Sequence, residues 1–146
     1  MLRRDMFRGL FAGAGAILGL DRARAATPGT PARQKVAYHL TDADKVAFVL
    51  GNIRNHHEGT GGNVEIALVV HGPALAAFRS SGTSGAVAGR FAGLVRQGLK
   101  PHACANTMKG MEISLPDLLE GFASADQGGV VKLAELQADG YAYLRP

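Results

Sequence analysis

The sequence predicts an α/β protein: a flavodoxin-like open sheet of about five mainly parallel strands with helices on both faces. Three observations carry this expectation. Val64-Glu65-Ile66-Ala67-Leu68-Val69-Val70 is nearly continuous in apolar residues, as a strand covered on both faces of a parallel sheet should be. Short apolar runs alternate with stretches whose apolar residues recur every three or four positions. Glycine and proline punctuate the boundaries, and strand–helix–strand crossovers of this kind are right-handed.

The elements follow in order. Residues 35–40 read as a short strand. Thr41, Asp42 and Asp44 supply helix-start signals, because short polar side chains accept the free N–H groups of a first turn. Val46, Val49, Leu50, Ile53 and His57 then mark one face of an amphipathic helix, which Gly59, Gly61 and Gly62 stop. The apolar strand over 64–70 ends at His71-Gly72-Pro73, and Pro73 is placed to open a short helix through Phe78. Residues 80–85 form a loop. Residues 86–97 form a second amphipathic helix with Val87, Phe91, Leu94 and Val95 on one face, closed by Gly98. A third strand covers 99–104, with Pro101 near its start, where a missing N–H is tolerable. Asn106 or Thr107 is expected to cap a short turn. Ser114 opens another short helix, 121–125 a fourth strand, 129–139 a helix ended by Gly140, and 141–144 a last strand.

The first 25 residues are not expected to belong to the fold. Arg3, Arg4 and Arg8 precede a Gly/Ala-rich apolar stretch, and Ala23-Arg24-Ala25 fits a small-x-small cleavage site. Arg3-Arg4-Asp5-Met6-Phe7-Arg8 matches the pattern of a twin-arginine export signal. The expected organisation is therefore a signal peptide over 1–25, a flexible leader over 26–34 and one α/β domain over 35–146, located in the periplasm. Whether the signal is cleaved is open at this stage. The stretch is short of the roughly 20 apolar residues of a spanning helix, so no stable membrane insertion is expected after signal removal. Removing the signal leaves 11 of the 16 Lys+Arg (16−5) and 10 of the 12 Asp+Glu (12−2), a net charge of +1. No basic stripe with interleaved aromatics remains, which argues against nucleic-acid binding.

In an open parallel sheet, ligands collect beyond the carboxyl ends of the strands. His39 and Thr41 end the first expected strand, His71 the second, and Cys104 with Asn106 the third. Cys104 is the only cysteine, so it forms no internal disulfide. The thiolate is the reactive form, and N–H groups after Cys104 together with an imidazolium at His71 would favour it. His102 is two residues from Cys104 and shares its sheet face if the strand continues. Asn106 and Thr107 are candidates to position a sulfur or substrate oxygen. Each residue also has a plainer reading: a free cysteine is often a buried, inert small hydrophobe, His71 could cap the Gly72-Pro73 turn, and His39 could bond backbone at a strand end. The spacing of His39, His71, His102 and Cys104 lacks the compactness of a structural zinc motif, and no metal or cofactor is expected. Gly59-Thr60-Gly61-Gly62 precedes a strand rather than opening a helix and so fails the context of a phosphate loop.

Taken together, Lys35–Leu40 with Asp42-Ala43-Asp44-Lys45, Asn52-Ile53-Arg54-Asn55-His56, Val69-Val70-His71-Gly72-Pro73-Ala74-Leu75, Cys104-Ala105-Asn106-Thr107-Met108 and the run from Leu133 to Tyr143 resemble the DsrE/DsrF-like family, in particular its exported members. The resemblance implies a flavodoxin-like fold and homo-oligomers, commonly trimers or hexamers. It also implies that Cys104 matches the place of the sulfur-accepting cysteine of members that pass sulfur as a persulfide, working with donor and acceptor proteins. Those relays are cytoplasmic, and many relatives lack the cysteine. The leading expectation is thus a periplasmic sulfur-handling protein, a persulfide carrier or sulfurtransferase using Cys104 and His71, with His39, Asn106 and Thr107 at the substrate. The alternatives are a non-catalytic oligomeric module that binds a small ligand around a structural cysteine, and a metal-responsive site on His71 and Cys104. Whether such a carrier is an enzyme, and what its donor and acceptor are, the sequence leaves open.

Overall fold

The computed structural model describes residues 32–146. The expected signal peptide and residues 26–31 of the expected leader lie outside the described residues. Five strands form one parallel sheet: β1 (Gln34–Leu40), β2 (Val64–Val70), β3 (Lys100–Cys104), β4 (Ala123–Ala125) and β5 (Ala142–Leu144). Their order across the sheet is β4-β3-β2-β1-β5, with every pairing parallel. The helices are α1 (Val46–Gly59), α2 (Gly85–Arg96), α3 (Ala105–Gly110) and α4 (Gly129–Ala138).

The handedness rule distributes these helices. From β1 through β4 the chain steps in one direction across the sheet, so right-handed crossovers put α1, α2 and α3 on one face. From β4 it returns past three strands to pair β5 with β1, so α4 falls on the other face. The first face carries the larger core, in which Leu50, Ile53, Leu68, Val70, Phe78 and Phe91 are fully buried. Phe78, Phe91 and Phe122 pack there with ring centroids 5.0–5.3 Å apart. Burial of each such side chain contributes roughly 1.5–3 kcal/mol, which makes this layer the rigid base of the molecule. On the other face Ala37, Ala67 and Val69 meet Leu133 and Leu136 of α4 and Tyr141. Small alanines let the single helix lie close to the strands.

The expected elements are present, with local differences. β1 starts one residue earlier, at Gln34. Asp42 has extended backbone angles and makes no side-chain cap; a 3-10 turn over Ala43–Lys45 intervenes, and α1 begins at Val46. The segments opened by Pro73 and Ser114 are 3-10 turns, Gly72–Phe78 and Leu115–Asp117, rather than α-helices. Ser114 does close a reciprocal box with Asp117. Asn106 and Thr107 are not caps: Cys104 holds the N-cap position, and both lie inside α3. Among the described residues, no helix is long and apolar enough to cross a membrane.

Candidate functional site

The switch in crossover direction locates the site. β3 is followed by α3 on one face, and its neighbour β4 leads into α4 on the other. The chain therefore parts on either side of the β3/β4 carboxyl ends, the place where open α/β sheets form their ligand crevice. Cys104 is the last residue of β3 and pairs with Ala125, the last residue of β4.

Cys104 is only 5% exposed, yet it belongs to neither apolar cluster. Its sulfur faces polar donors from both elements that flank the crevice. Burial pushes the thiol pKa up, but the Thr107 hydroxyl and the N–H groups of Thr107, Gly129 and Asn106 more than offset that, and the net shift is downward. Cys104 makes no side-chain cap hydrogen bond. The effect on the sulfur is that of several polarised donors aimed at a large soft atom, and it favours the thiolate. The Thr107 hydroxyl is itself oriented: its oxygen accepts the Gly72 N–H at 3.0 Å, which leaves its proton for the sulfur.

Gly128 and Gly129 bring the α4 start against this group. Gly128 has φ +99°, and a Cβ there would lie 2.8 Å from Asn106 Nδ2. A Cβ on Gly129 would lie 2.7 Å from His71 Nδ1 and 3.4 Å from Cys104 Cβ. Glycine is required at both positions, and at Gly129 only backbone separates the imidazole from the cysteine.

His71 thus stands beside Cys104 as expected, but not as an imidazolium. Its Nε2 lies 2.6 Å from His39 Nε2, so one nitrogen donates and the other accepts. Burial, then the Arg145 guanidinium, lowers its pKa. His39 is 8% exposed, and burial, His71 and Arg145 bring its pKa down to about 4 against a smaller opposing effect of Asp42. Both rings are neutral near pH 7. The donors around Cys104, rather than a charged histidine, favour the thiolate.

The structure brings His39, His71, Cys104, Asn106 and Thr107 to one rim and adds two residues that the sequence reading missed. Gly129 supplies an amide, and Tyr143 Oη lies 2.7 Å from His39 Nδ1. His102 shares the face of Cys104 but is one turn of pleat below it, where Lys132, Lys100 and Glu135 are its charged neighbours and its buried Nδ1 has no partner among the described residues. The two rim imidazoles direct their facing nitrogens at each other. Among the described residues no three His, Cys, Asp or Glu side chains are grouped so as to hold a metal ion.

The sequence matches the DsrE/DsrF-like family over residues 29–146. The chain belongs to that family. DsrE/DsrF-like proteins are generally related to sulfur relay, and the amide-lined cysteine at the β3/β4 crevice is set in that context. Three solved structures share the DsrE fold. A protein of unknown function from Methanobacterium thermoautotrophicum is 28% identical, with a TM-score of 0.70 over 77% of this chain and 99% of that one. The ychN protein from E. coli is 18% identical, with a TM-score of 0.59 over 77% and 99%. A conserved protein of unknown function from Bacteroides thetaiotaomicron is 13% identical, with a TM-score of 0.59 over 81% and 100%. No curated protein matches the chain.

Proposed function

We propose that this DsrE-like protein is a periplasmic sulfur carrier in which Cys104 accepts sulfane sulfur from a persulfide donor and hands it to an acceptor. The observation that carries the reading is the set of donors from Asn106, Thr107 and Gly129 around a sulfur at the crevice between β3 and β4. A thiolate so placed attacks the outer sulfur of a donor persulfide: Cys104–S⁻ + R–S–SH gives Cys104–S–SH + R–S⁻, one S–S bond forming as another breaks. Asn106, Thr107 and Gly129 are then placed to hold the terminal sulfur, and His71 stands next to it.

Export by the twin-arginine route rests on Arg3-Arg4 and the cleavage pattern before Ala26. Protein recovered from the periplasm with Ala26 at its N-terminus, and retention inside the cell when Arg3 and Arg4 are both changed to Lys, test it. The trimeric or hexameric assembly carried by the family resemblance is supported by apolar side chains on the outer surface, Val130 (70% exposed) and Leu144 (39%) among them. Light scattering of the mature chain measures it.

The persulfide reading is tested by mass spectrometry of the folded mature protein after exposure to a sulfane donor. It predicts an adduct of about 32 Da on the wild type and none on Cys104→Ala. A wild type that stays unmodified while a proven carrier is labelled would contradict it. The 5% exposure of Cys104 favours a second reading, a non-catalytic binding module with a structural cysteine. Slow thiol labelling of the native protein and fast labelling after denaturation would select that reading.

A further inference from the structure

Four side chains from four adjacent strands line up across the α4 face of the sheet. Cys104 ends β3, His71 follows β2, His39 lies in β1, and Tyr143 lies in β5, at the sheet edge. The parallel registers explain the alignment. His39 pairs with Val69, so His71 is two positions along and on the same face, and Ala37 pairs with Tyr143. Tyr143 Oη is 2.7 Å from His39 Nδ1, and His39 Nε2 is 2.6 Å from His71 Nε2. The remaining nitrogen, His71 Nδ1, makes no hydrogen bond to another described residue and lies against Gly129, whose amide faces the Cys104 sulfur. Tyr143 is 41% exposed, so the outer end meets water.

We propose that Tyr143, His39 and His71 form a proton relay between solvent at the β5 edge and the sulfur chemistry at Cys104. The geometry allows two proton arrangements of the same neutral chain. In one, Tyr143 O–H donates to His39 Nδ1, His39 Nε2–H donates to His71 Nε2, and His71 carries its proton on Nδ1, toward Cys104. In the other, the His71 Nδ1 proton has left, each remaining proton has moved one link inward, Tyr143 has taken a proton from water, and Nδ1 is a lone pair. Burial, and after it Arg145, whose guanidinium bonds Thr41 Oγ1 at 3.0 Å, disfavour an extra proton on either ring, against a smaller opposing effect of Asp42 at His39. With the rings neutral, a proton passes along the chain without leaving a buried imidazolium.

The use of the relay rests on the persulfide reading. Transfer of sulfur to Cys104 expels R–S⁻, and a basic leaving thiolate leaves slowly unless it is protonated. His71 Nδ1 gives it a proton. The His39 Nε2 proton moves to His71 Nε2, the Tyr143 proton moves to His39 Nδ1, and the phenolate takes a proton from water. The sum is Cys104–S⁻ + R–S–SH + H2O giving Cys104–S–SH + R–SH + OH⁻. Tyr143 and His39 are positioning residues in this scheme, since neither meets the sulfur.

Tyr143→Phe on the edge strand keeps the ring and removes the outer hydroxyl. Three readouts are compared with wild type. Alkylation of Cys104 by iodoacetamide, which expels iodide and needs no proton, should keep its pH profile and stay within about twofold in rate. The His71 imidazole 15N resonances should shift, although Tyr143 bonds His39 and not His71. Persulfide transfer should slow by about tenfold from a donor with a basic leaving thiol and by less than about twofold from one with an acidic leaving thiol. His71 resonances that ignore the substitution, or equal slowing with both donors, would overturn the relay. A wild type that forms no persulfide would remove the carrier reading, and the resonances of His71 would then decide the relay alone.

Discussion

The two ends of this sheet each hold a polar cluster closed by a tyrosine, and they differ in how charge is settled. At the amino end Glu65 of β2 pairs with Lys100 at 2.6 Å and accepts a hydrogen bond from Tyr141. Lys100, then Tyr141, bring the Glu65 pKa down to about 2, and burial, then Glu65, push Tyr141 up to about 12. That cluster is balanced and inert over the ordinary pH range. At the carboxyl end Tyr143 bonds His39, which in turn bonds His71, beside a sulfur that pairs with no charged side chain among the described residues. Opposite charge ends the chemistry in the first cluster, whereas backbone amides and neutral rings leave the second poised. Tyr141 does a structural job at one end and Tyr143, two residues later, in our reading a protonic one at the other.

Acid should separate the two ends most strongly. Above pH 6.5 His39 is neutral folded or unfolded. As the pH falls below 6.5 the unfolded chain binds a proton that folded His39 refuses until about pH 4, so folding stability declines through that window. The loss from His39 approaches about 3 kcal/mol, and His71 adds to it in the same direction. Glu65 acts lower down: its contribution is present above pH 4.5 and is lost as the pH falls toward about 2. Urea unfolding as a function of pH should show an early decline that His39→Gln diminishes and Glu65→Gln does not. A single decline below pH 4.5 would erase the distinction.

Gly129→Ala should be next in size. The added methyl meets His71 Nδ1 at 2.7 Å, and the ring is held by His39, so the rim must open. A destabilisation of roughly 1–3 kcal/mol is expected from such overpacking, together with loss of Cys104 reactivity out of proportion to it. Wild-type alkylation rates in the alanine variant would show that the donor set does not depend on this approach.

Thr107→Val removes a donor to the sulfur and the acceptor of the Gly72 N–H. The thiol pKa should rise, and alkylation at pH 7 should slow by about tenfold, since a hydrogen bond to a charged group contributes roughly 1.5–3 kcal/mol. Thr107→Ser should retain the wild-type rate. Glu65→Gln, in contrast, should cost about 1 kcal/mol of stability and leave Cys104 alkylation unchanged, because its cluster lies at the far end of the strands.

The same contrast explains what could be read from the sequence. The fold was legible because β2 is apolar throughout and because the connections alternate helix with strand. Rim residues His39, His71 and Cys104 were legible because parallel strands align their carboxyl ends. The roles within the rim were less so. Asn106 and Thr107 looked like caps, but the chain turns at least two residues sooner and gives that position to Cys104. His71 looked like a cation, whereas burial and then the Arg145 guanidinium, 74 positions away in the chain, lower its pKa. Gly129 is 25 positions after Cys104, and nothing local to either residue links them; the adjacent Gly128-Gly129 pair before a helix was the one available signal. Tyr143 required knowing that β5 returns to β1, a pairing that a short exposed strand does not announce.

The central claim is that the fold lowers the Cys104 thiol pKa against the penalty of burial. Its most direct test is a titration of thiolate ultraviolet absorbance in the mature protein, native and in denaturant. With one cysteine in the chain, the signal has one source. The account predicts a lower pKa in the native state than in the denatured state, a difference reduced in Thr107→Val. A native pKa equal to or above the denatured value would contradict it.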